Sequence, residues 1–249
     1  MRLAERVLLS LSRSPAASDR PAGVNSWEGR DPLELLHAAF PELLQWINGA
    51  DILDFGCGCG HQSIALAAKG AKSVMGVDIV SANVAEARCL SGGATNVAFA
   101  ETVPDQASFD IIVSQNSMEH FEDPLQILRL WRRSLRPGGF VLVTFGPPWL
   151  SPYGAHMHFF TAVPWVHLVF SERTVMSARS KFRDDGAMHY HEVPGGLAKL
   201  TVGRFEHLAT QAGFRISMAR RSTVKGVPGA SIPVLRELII NNVSVRLQS

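Results

Sequence analysis

The chain has 249 residues, 46% of them apolar and 18% charged, with a formal net charge of +2. That balance excludes an unfolded polar chain, and so small a charge leaves no electrostatic footprint for nucleic acid. Three cysteines and the absence of a long apolar run exclude a disulfide framework and a membrane span, so a cytoplasmic protein is expected.

Residues 1–48 are predicted to form an N-terminal helical segment followed by a lid or linker. Leu3, Val7 and Leu11 recur at helical spacing and predict an apolar stripe that packs on the domain rather than on a membrane surface. Glu5 and Arg6 break the apolar run that a secretory signal needs. Residues 12–29, rich in Ser, Pro, Ala and Gly, read as a linker or lid. Pro32 opens a helical segment carrying Leu33, Leu36, His37 and Phe40, and Pro41 opens another that runs through Ile47.

Residues 49–249 are predicted to be one α/β domain with helices on both faces of a parallel sheet. Strands are expected at 51–55, 73–78, 97–100, 109–114 and 139–145, with helices at 61–69, 81–90 and 123–135 between them. Pro137-Gly138-Gly139 reads as the stop of the last of these helices. The rhythm then breaks over 147–199, too long a stretch for an ordinary loop, and this insertion is expected to wall the substrate site. A helix at 201–212, a strand at 214–220 and a final strand within 237–247 complete the pattern.

The most informative stretch is Asp51-Ile52-Leu53-Asp54-Phe55-Gly56-Cys57-Gly58-Cys59-Gly60. An apolar strand ends in an acid, and three alternating glycines precede a helix, the arrangement that receives a nucleotide-like ligand at a strand's carboxyl end. Glycine lets the backbone turn sharply and approach a ligand closely. A dinucleotide loop requires Gly-x-Gly-x-x-Gly. Here the third position falls on His61 or Ser63, so a nicotinamide-dependent reductase is disfavoured. Asp78 closes the next strand, 24 residues after Asp54, where a carboxylate meets the hydroxyls of a ribose. Its plainer role would be to cap the helix beginning near Ser81.

The Asp-x-Gly-x-Gly-x-Gly pattern resembles motif I of the class I methyltransferases that use S-adenosylmethionine. Ser108-Phe109-Asp110-Ile111-Ile112-Val113-Ser114 is similar to that family's fourth strand. Met118-Glu119-His120-Phe121-Glu122-Asp123-Pro124 resembles a Glu-His-x-x-Asp-Pro run of its ubiquinone-type O-methyltransferase branch. Leu135-Arg136-Pro137-Gly138-Gly139 and Ala212-Gly213-Phe214 match the turns before its fifth and sixth strands. The resemblance covers 51–144 and 201–220. It implies a Rossmann-like seven-stranded sheet with strand seven antiparallel, S-adenosylmethionine as cofactor and a small organic acceptor. Asp54, Gly56, Cys57, Gly58 and Gly60 would hold the methionyl and sulfonium end, and Asp78 with Ile79 the ribose side. Gln115 and Asn116 would border the methionyl part. The Asp-Ala pair that this branch places beside the adenine is missing. Adenine is therefore assigned to the backbone near Glu101 and Thr102, with Phe99 stacking.

In the insertion, five of the nine histidines fall between His156 and His191, interleaved with aromatic residues. Aromatic faces suit a planar or apolar acceptor and also attract a sulfonium. Histidine titrates near neutrality and takes protons. His156, His158 and Tyr153, nearest the end of the fifth strand, are the leading catalytic candidates, followed by Glu119 and His120. Each also has a plain structural reading, in which a packed aromatic lid ties its histidines to backbone carbonyls. No metal is expected. Cys57, Cys59 and His61 lie in a turn that must present its backbone, and His189 with His191 lacks a fourth ligand. Arg129, Arg132, Arg133 and Arg136 read as a solvated helix face. Oxygen is the favoured nucleophile, with nitrogen, sulfur and carbon left open. A non-catalytic binding module and a protein or RNA methyltransferase are the remaining rivals. The sequence leaves monomer and homodimer open.

Overall fold

Strand β1 (Asp51–Phe55) is buried on both faces, with Ile52 turned to one apolar layer and Leu53 to the other, as a side-chain period of two requires. The same split recurs in β4 (Phe109–Gln115), where Ile111 and Val113 face the Ile52 layer and Ile112 the Leu53 layer. In β5 (Leu135–Phe145), Leu142 opposes Val141 and Val143 in the same way. These strands belong to a computed structural model that describes residues 3–12, 31–193, 196–229 and 231–249. With β2 (Ser73–Val77), β3 (Val97–Ala100), β6 (Arg215–Thr223) and β7 (Ile240–Gln248) they form one seven-stranded sheet, ordered β3-β2-β1-β4-β5-β7-β6. The pairings from β3 to β5 are parallel, whereas β7 runs antiparallel to both β5 and β6. The chain leaves β1 toward β2 and β3 on one side and returns to β4 and β5 on the other. A crevice therefore opens at the carboxyl ends of β1 and β4.

Helices cover both faces. Leu36 of α2 (Glu34–Ala39), Leu43 and Ile47 of α3 (Leu43–Ile47) and Leu66 of α4 (His61–Ala68) seal one layer. On the same side as Leu53, α6 (Pro124–Ser134) contributes Leu128 and Trp131, and α9 (Val202–Gln211) contributes Phe205 and Ala209. Helix α5 (Ser81–Leu90) buries Val84 and Ala87 against Phe99. Helix α6 starts where Asp123 accepts the Gln126 N–H at 3.1 Å and Pro124 fills the first turn, which satisfies one orphan donor and needs no other there.

Two boundaries differ from the sequence expectation. Helix α6 ends at Ser134, and β5 begins at once at Leu135 instead of at 139. Leu135 pairs with Phe109, and the register then shifts so that Ile111 pairs with Phe140. The Pro-Gly-Gly segment is thus absorbed as an irregularity within a strand, because β4 offers it a pairing partner that local sequence does not reveal. The final apolar stretch divides into α10 (Pro233–Ile239) and β7, since a short apolar run does not by itself distinguish helix from strand.

The N-terminal helix α1 (Leu3–Ser10) packs on α8 (Glu172–Arg179) of the insertion, which also holds the short helix α7 (Val166–Val169). Its inward residue is Leu8, fully buried with Phe160, Val175, Met176 and Ala178, and Ser12 forms a β-bridge to Thr161. The stripe predicted to pack faces outward instead: Leu3, Val7 and Leu11 are 77%, 43% and 58% exposed. The partner surface, not the spacing of apolar residues, chose the buried side. Beyond residue 12, the linker predicted over 12–29 lies outside the described residues.

At the amino ends of the strands, Asp51 gathers Ser73 at 2.7 Å, Arg136 at 2.7 Å and Lys72 at 3.0 Å, and Arg136 also reaches Asp110 at 2.9 Å. These hydrogen bonds, Ser73 first, hold the Asp51 carboxyl well below the usual carboxylate range. A carboxylate depressed in the folded state stabilises above its unfolded pKa of ~3.9, and that stabilisation is lost as the pH falls below it. Arg136→Met is expected to lower Tm by a few degrees and move acid unfolding to higher pH, as followed by circular dichroism. It should leave ligand binding unchanged, because the cluster lies at the end of the sheet opposite the crevice.

Candidate active site

The turn after β1 is fastened to the end of β2. Gly56 and Cys57 both donate their N–H to Val77 O, at 2.8 and 3.0 Å. Gly58 donates to Asp78 Oδ2 at 2.8 Å, while Asp78 Oδ1 accepts from Val80 N–H at 2.9 Å and Asn83 Nδ2 at 3.1 Å. Three donors on a carboxylate with about four acceptor positions leave capacity for a further hydroxyl. Beside it, Ile79 is 88% exposed, an apolar side chain laid open next to that acid.

The three glycines are not equivalent. All have left-handed backbones, with φ of 79°, 53° and 82° at Gly56, Gly58 and Gly60. A Cβ on Gly56 would lie 2.5 Å from Ser117 Oγ, and one on Gly60 would lie 2.6–2.7 Å from Phe99 and Ala87. At Gly58 nothing of the protein comes within 4 Å. The outer two are therefore fixed by packing, whereas the middle one fronts open space, as a backbone cradle for a ligand requires.

Several predicted residues are placed differently from the sequence expectation. Asp54 was expected to face the crevice, but it is buried, accepting Gln62 Nε2 at 2.8 Å and Ser63 Oγ at 2.6 Å. Burial pushes its pKa up to about 6 against the opposing pull of those two bonds. It anchors the start of α4 under the turn. Phe99, assigned to adenine stacking, is only 6% exposed. Its ring fills the space left by Gly60 and Gly76 and packs on Val84 and Ala87, so both faces are spent within the protein. Glu101 and Thr102 are exposed just past β3, and Asn116 is exposed after β4 with its N–H on Thr144 O at 2.8 Å. Among the described residues, Gln115 Oε1 is buried without a partner. Burial raises the Cys57 thiol strongly, and burial with the Glu86 carboxylate 3.1 Å away raises Cys59 to about 11. Neither is a thiolate at neutral pH.

Sequence reasoning missed Ser117. Its hydroxyl lies 3.0 Å from Gln115 O and 3.4 Å from Gly56 O, holding the loop after β4 against the glycine turn. A lone serine in a loop carries no signal that would have singled it out. The following 3₁₀ turn, Met118–His120, projects from that loop. Glu119 is buried, with Oε1 accepting the Gly146 N–H at 3.2 Å, and burial raises its pKa. Gly146 has φ 148°, and a Cβ there would run into the Asn241 backbone, so only glycine lets the end of β5 meet this carboxylate.

His120 and His156 come together although 36 residues separate them in sequence, with ring centroids 5.6 Å apart and edge-on. His120 Nδ1 is 2.8 Å from Gly196 O, and His156 Nε2 is 3.3 Å from Pro147 O. A carbonyl only accepts, so these nitrogens carry the protons and the other nitrogen of each ring keeps its lone pair. Burial, reinforced by His120, pushes His156 down to about 4. Both rings line a cavity of about 480 Å³ shared with Met157, Phe159, Leu197 and Arg183. The other catalytic candidates lie apart from it. Tyr153 and His158 pair with each other at 4.2 Å, and neither borders that cavity. His189 and His191 stack at 5.5 Å beside Glu172 and Glu192. Among the described residues no three His, Cys, Asp or Glu side chains converge as a metal site.

The strand order, the antiparallel β7 and the glycine turn tied to an acid on the neighbouring strand give the fold that class I methyltransferase domains share. Residues 53–143 match a family model described as a methyltransferase domain. Over 133 residues the chain is 31% identical to the ubiquinone biosynthesis O-methyltransferase of Leptothrix cholodnii, an alignment covering 47% of this chain and 56% of that protein. The chain thus spans about half the length of the curated relatives it matches. An S-adenosylmethionine-dependent methyltransferase from Mesorhizobium loti is similar in structure, with a TM-score of 0.59 at 20% identity, covering 89% of this chain and 99% of that one. The [4+2]-cyclase SpnF is similar at 0.57 and 16% identity, covering 86% and 80%. At such identities the fold alone is shared, and a cyclase among the neighbours means that the fold does not fix the reaction.

Proposed function

We propose that this chain is an enzyme that transfers a methyl group from S-adenosylmethionine to an oxygen of a small planar or apolar acceptor. The observation that carries the reading is the open space in front of Gly58, bordered by an Asp78 carboxylate with acceptor capacity to spare. Ile79, exposed beside that acid, suits the apolar flank of a nucleoside. Gln115 Oε1, buried and without a partner among the described residues, suits the ammonium of the methionyl end. Glu101 and Thr102 remain available for the base. When bound, the sulfonium compound supplies an electrophilic methyl group.

The chain's own residues supply position and proton management. The turn and the loop carrying Ser117 hold donor and acceptor in line, a positioning effect worth about 7–11 kcal/mol in favourable cases. His120, with a lone pair on Nε2, takes the proton of an acceptor hydroxyl. Glu119 fixes the loop that carries it, and His156 forms the adjoining wall. The apolar lining keeps water from the transfer. Tyr153 and His158, paired with each other, are assigned to shaping the lid. No helix of the described residues is long and apolar enough to cross a membrane. Three free cysteines support a reducing, cytoplasmic setting.

The reading predicts that S-adenosylhomocysteine raises Tm in proportion to the logarithm of its concentration while NADH does not. A folded protein indifferent to S-adenosylhomocysteine would remove the donor assignment, and NADH stabilisation would favour a reductase.

A further inference from the structure

Strand β6 is the outer strand of the sheet on the side of β7. Its Ile216 and Arg221 pair with Leu247 and Val243, which belong to the Leu53 layer, so both side chains turn toward α9. With Phe214, Arg215, Glu206 of α9 and Arg236 of α10 they line a second cavity of about 550 Å³, and none of these residues borders the one beside His120. That volume suits a small-molecule site. Three arginines meet one carboxylate in its wall. Glu206 Oε1 accepts Arg221 Nη2 at 2.6 Å and Arg236 Nη1 at 3.4 Å, and Oε2 accepts Arg236 Nη2 at 2.8 Å. The next acid, Glu237, accepts the N–H groups of Val202 and Gly203 at 3.0 and 2.7 Å and stands 3.9 Å from Arg236 Nε. Counting both acids, the cluster keeps one positive charge in excess. The fork of Arg236 already engages both oxygens of Glu206, so a structural strut would not need Arg221. Arg221 spends one terminal nitrogen on Glu206, and Arg215 spends one on Gln248 Oε1 at 2.8 Å. Among the described residues, Nη1 of each has no partner.

We infer that this groove is a second binding site, which takes a small organic oxyanion: an apolar body carrying a carboxylate or a phosphate. Arg221 and Arg215 grip the anionic group, since a planar guanidinium matches the oxygens of either. Glu206 and Arg236 hold Arg221 in place, and Phe214 with Ile216 receives the apolar body. The ligand supplies the negative charge that the cluster lacks. The site stands apart from the methyl-transfer cavity and does not depend on how that cavity is read.

The test titrates the whole chain with phenyl phosphate, benzoate and uncharged benzamide, followed by ligand-observed NMR with and without saturating S-adenosylhomocysteine. At least one of the two anions should bind about tenfold more tightly than benzamide, and the tighter of them names the anionic group. That affinity should be the same in the presence of S-adenosylhomocysteine. Arg221→Met should remove the preference. Arg215→Met, at an exposed side chain that leaves the Glu206 ion pairs intact, should weaken it without loss of folding. Equal binding of all three probes, or binding of none, overturns the inference. So does displacement of the anion by S-adenosylhomocysteine, or a preference that survives both variants. Inorganic phosphate binding as tightly as phenyl phosphate overturns the assignment of an organic ligand.

Discussion

Gly58→Ala is expected to weaken S-adenosylhomocysteine binding by at least about tenfold while the protein stays folded. The added methyl meets no protein atom within 4 Å, so its only collision is with whatever occupies the space in front of the turn. Its φ of 53° lies in the left-handed region, which costs an alanine roughly 1–2 kcal/mol, and Tm should fall only modestly. Gly60→Ala is the contrasting variant. Its methyl would be driven into Phe99 and Ala87 at 2.6–2.7 Å, and overpacking of that kind costs about 1–3 kcal/mol beyond the backbone strain. Isothermal calorimetry and thermal melts on both proteins separate ligand clearance from packing. If Gly58→Ala binds S-adenosylhomocysteine like the unmodified chain, the turn is not the donor cradle.

The second large effect concerns the paired imidazoles. His120→Phe keeps the ring volume but removes the Nε2 lone pair, and methyl transfer should fall by about 10²–10⁴-fold with S-adenosylhomocysteine affinity nearly unchanged. His158→Phe, at a ring that pairs with Tyr153 and does not line the cavity, should keep most of the rate. His156 reports on pH. Its folded pKa of about 4 lies below the unfolded value of ~6.5, so the unfolded chain binds the extra proton between those limits. The neutral buried ring is tolerated fully above pH ~6.5, and stability is lost as pH falls toward 4. His156→Phe should therefore gain stability relative to the unmodified chain by roughly 3 kcal/mol between pH 7 and pH 4, measured by urea unfolding at each pH. Asp54, raised to about 6, titrates with the opposite sign in the same window. It is common to both proteins, so the difference between them isolates His156. A constant difference across the range would place His156 in contact with water.

The chain's alternation of apolar strands with helices, and the two acids around three glycines, were enough to read the sheet and the glycine turn after its first strand. Those features are local, since period-two burial, glycine backbones and strand-end acids are each written within one βαβ unit. The Pro-Gly-Gly entry to β5 was misread because β4, distant in sequence, supplied the pairing that turned a stop signal into a strand. Phe99 and Asp54 were assigned to the ligand from their positions near the strand ends. Burial decided otherwise, placing one under the glycines and the other under α4.

The N-terminal helix and the segment 147–199 were least legible. Leu3, Val7 and Leu11 made the better helical stripe, yet Leu8 is the residue that docks, because the surface it meets is built from residues 160–178. Of the five candidate catalytic side chains, only His120 and His156 share a cavity wall, and their meeting depends on carbonyls of Gly196 and Pro147 that orient each ring. Sequence by itself determined the fold class and the turn at its first strand, because both follow from short-range pattern. Only the tertiary structure decided which histidines adjoin and which side chains wall the cavity, because those contacts join segments far apart along the chain.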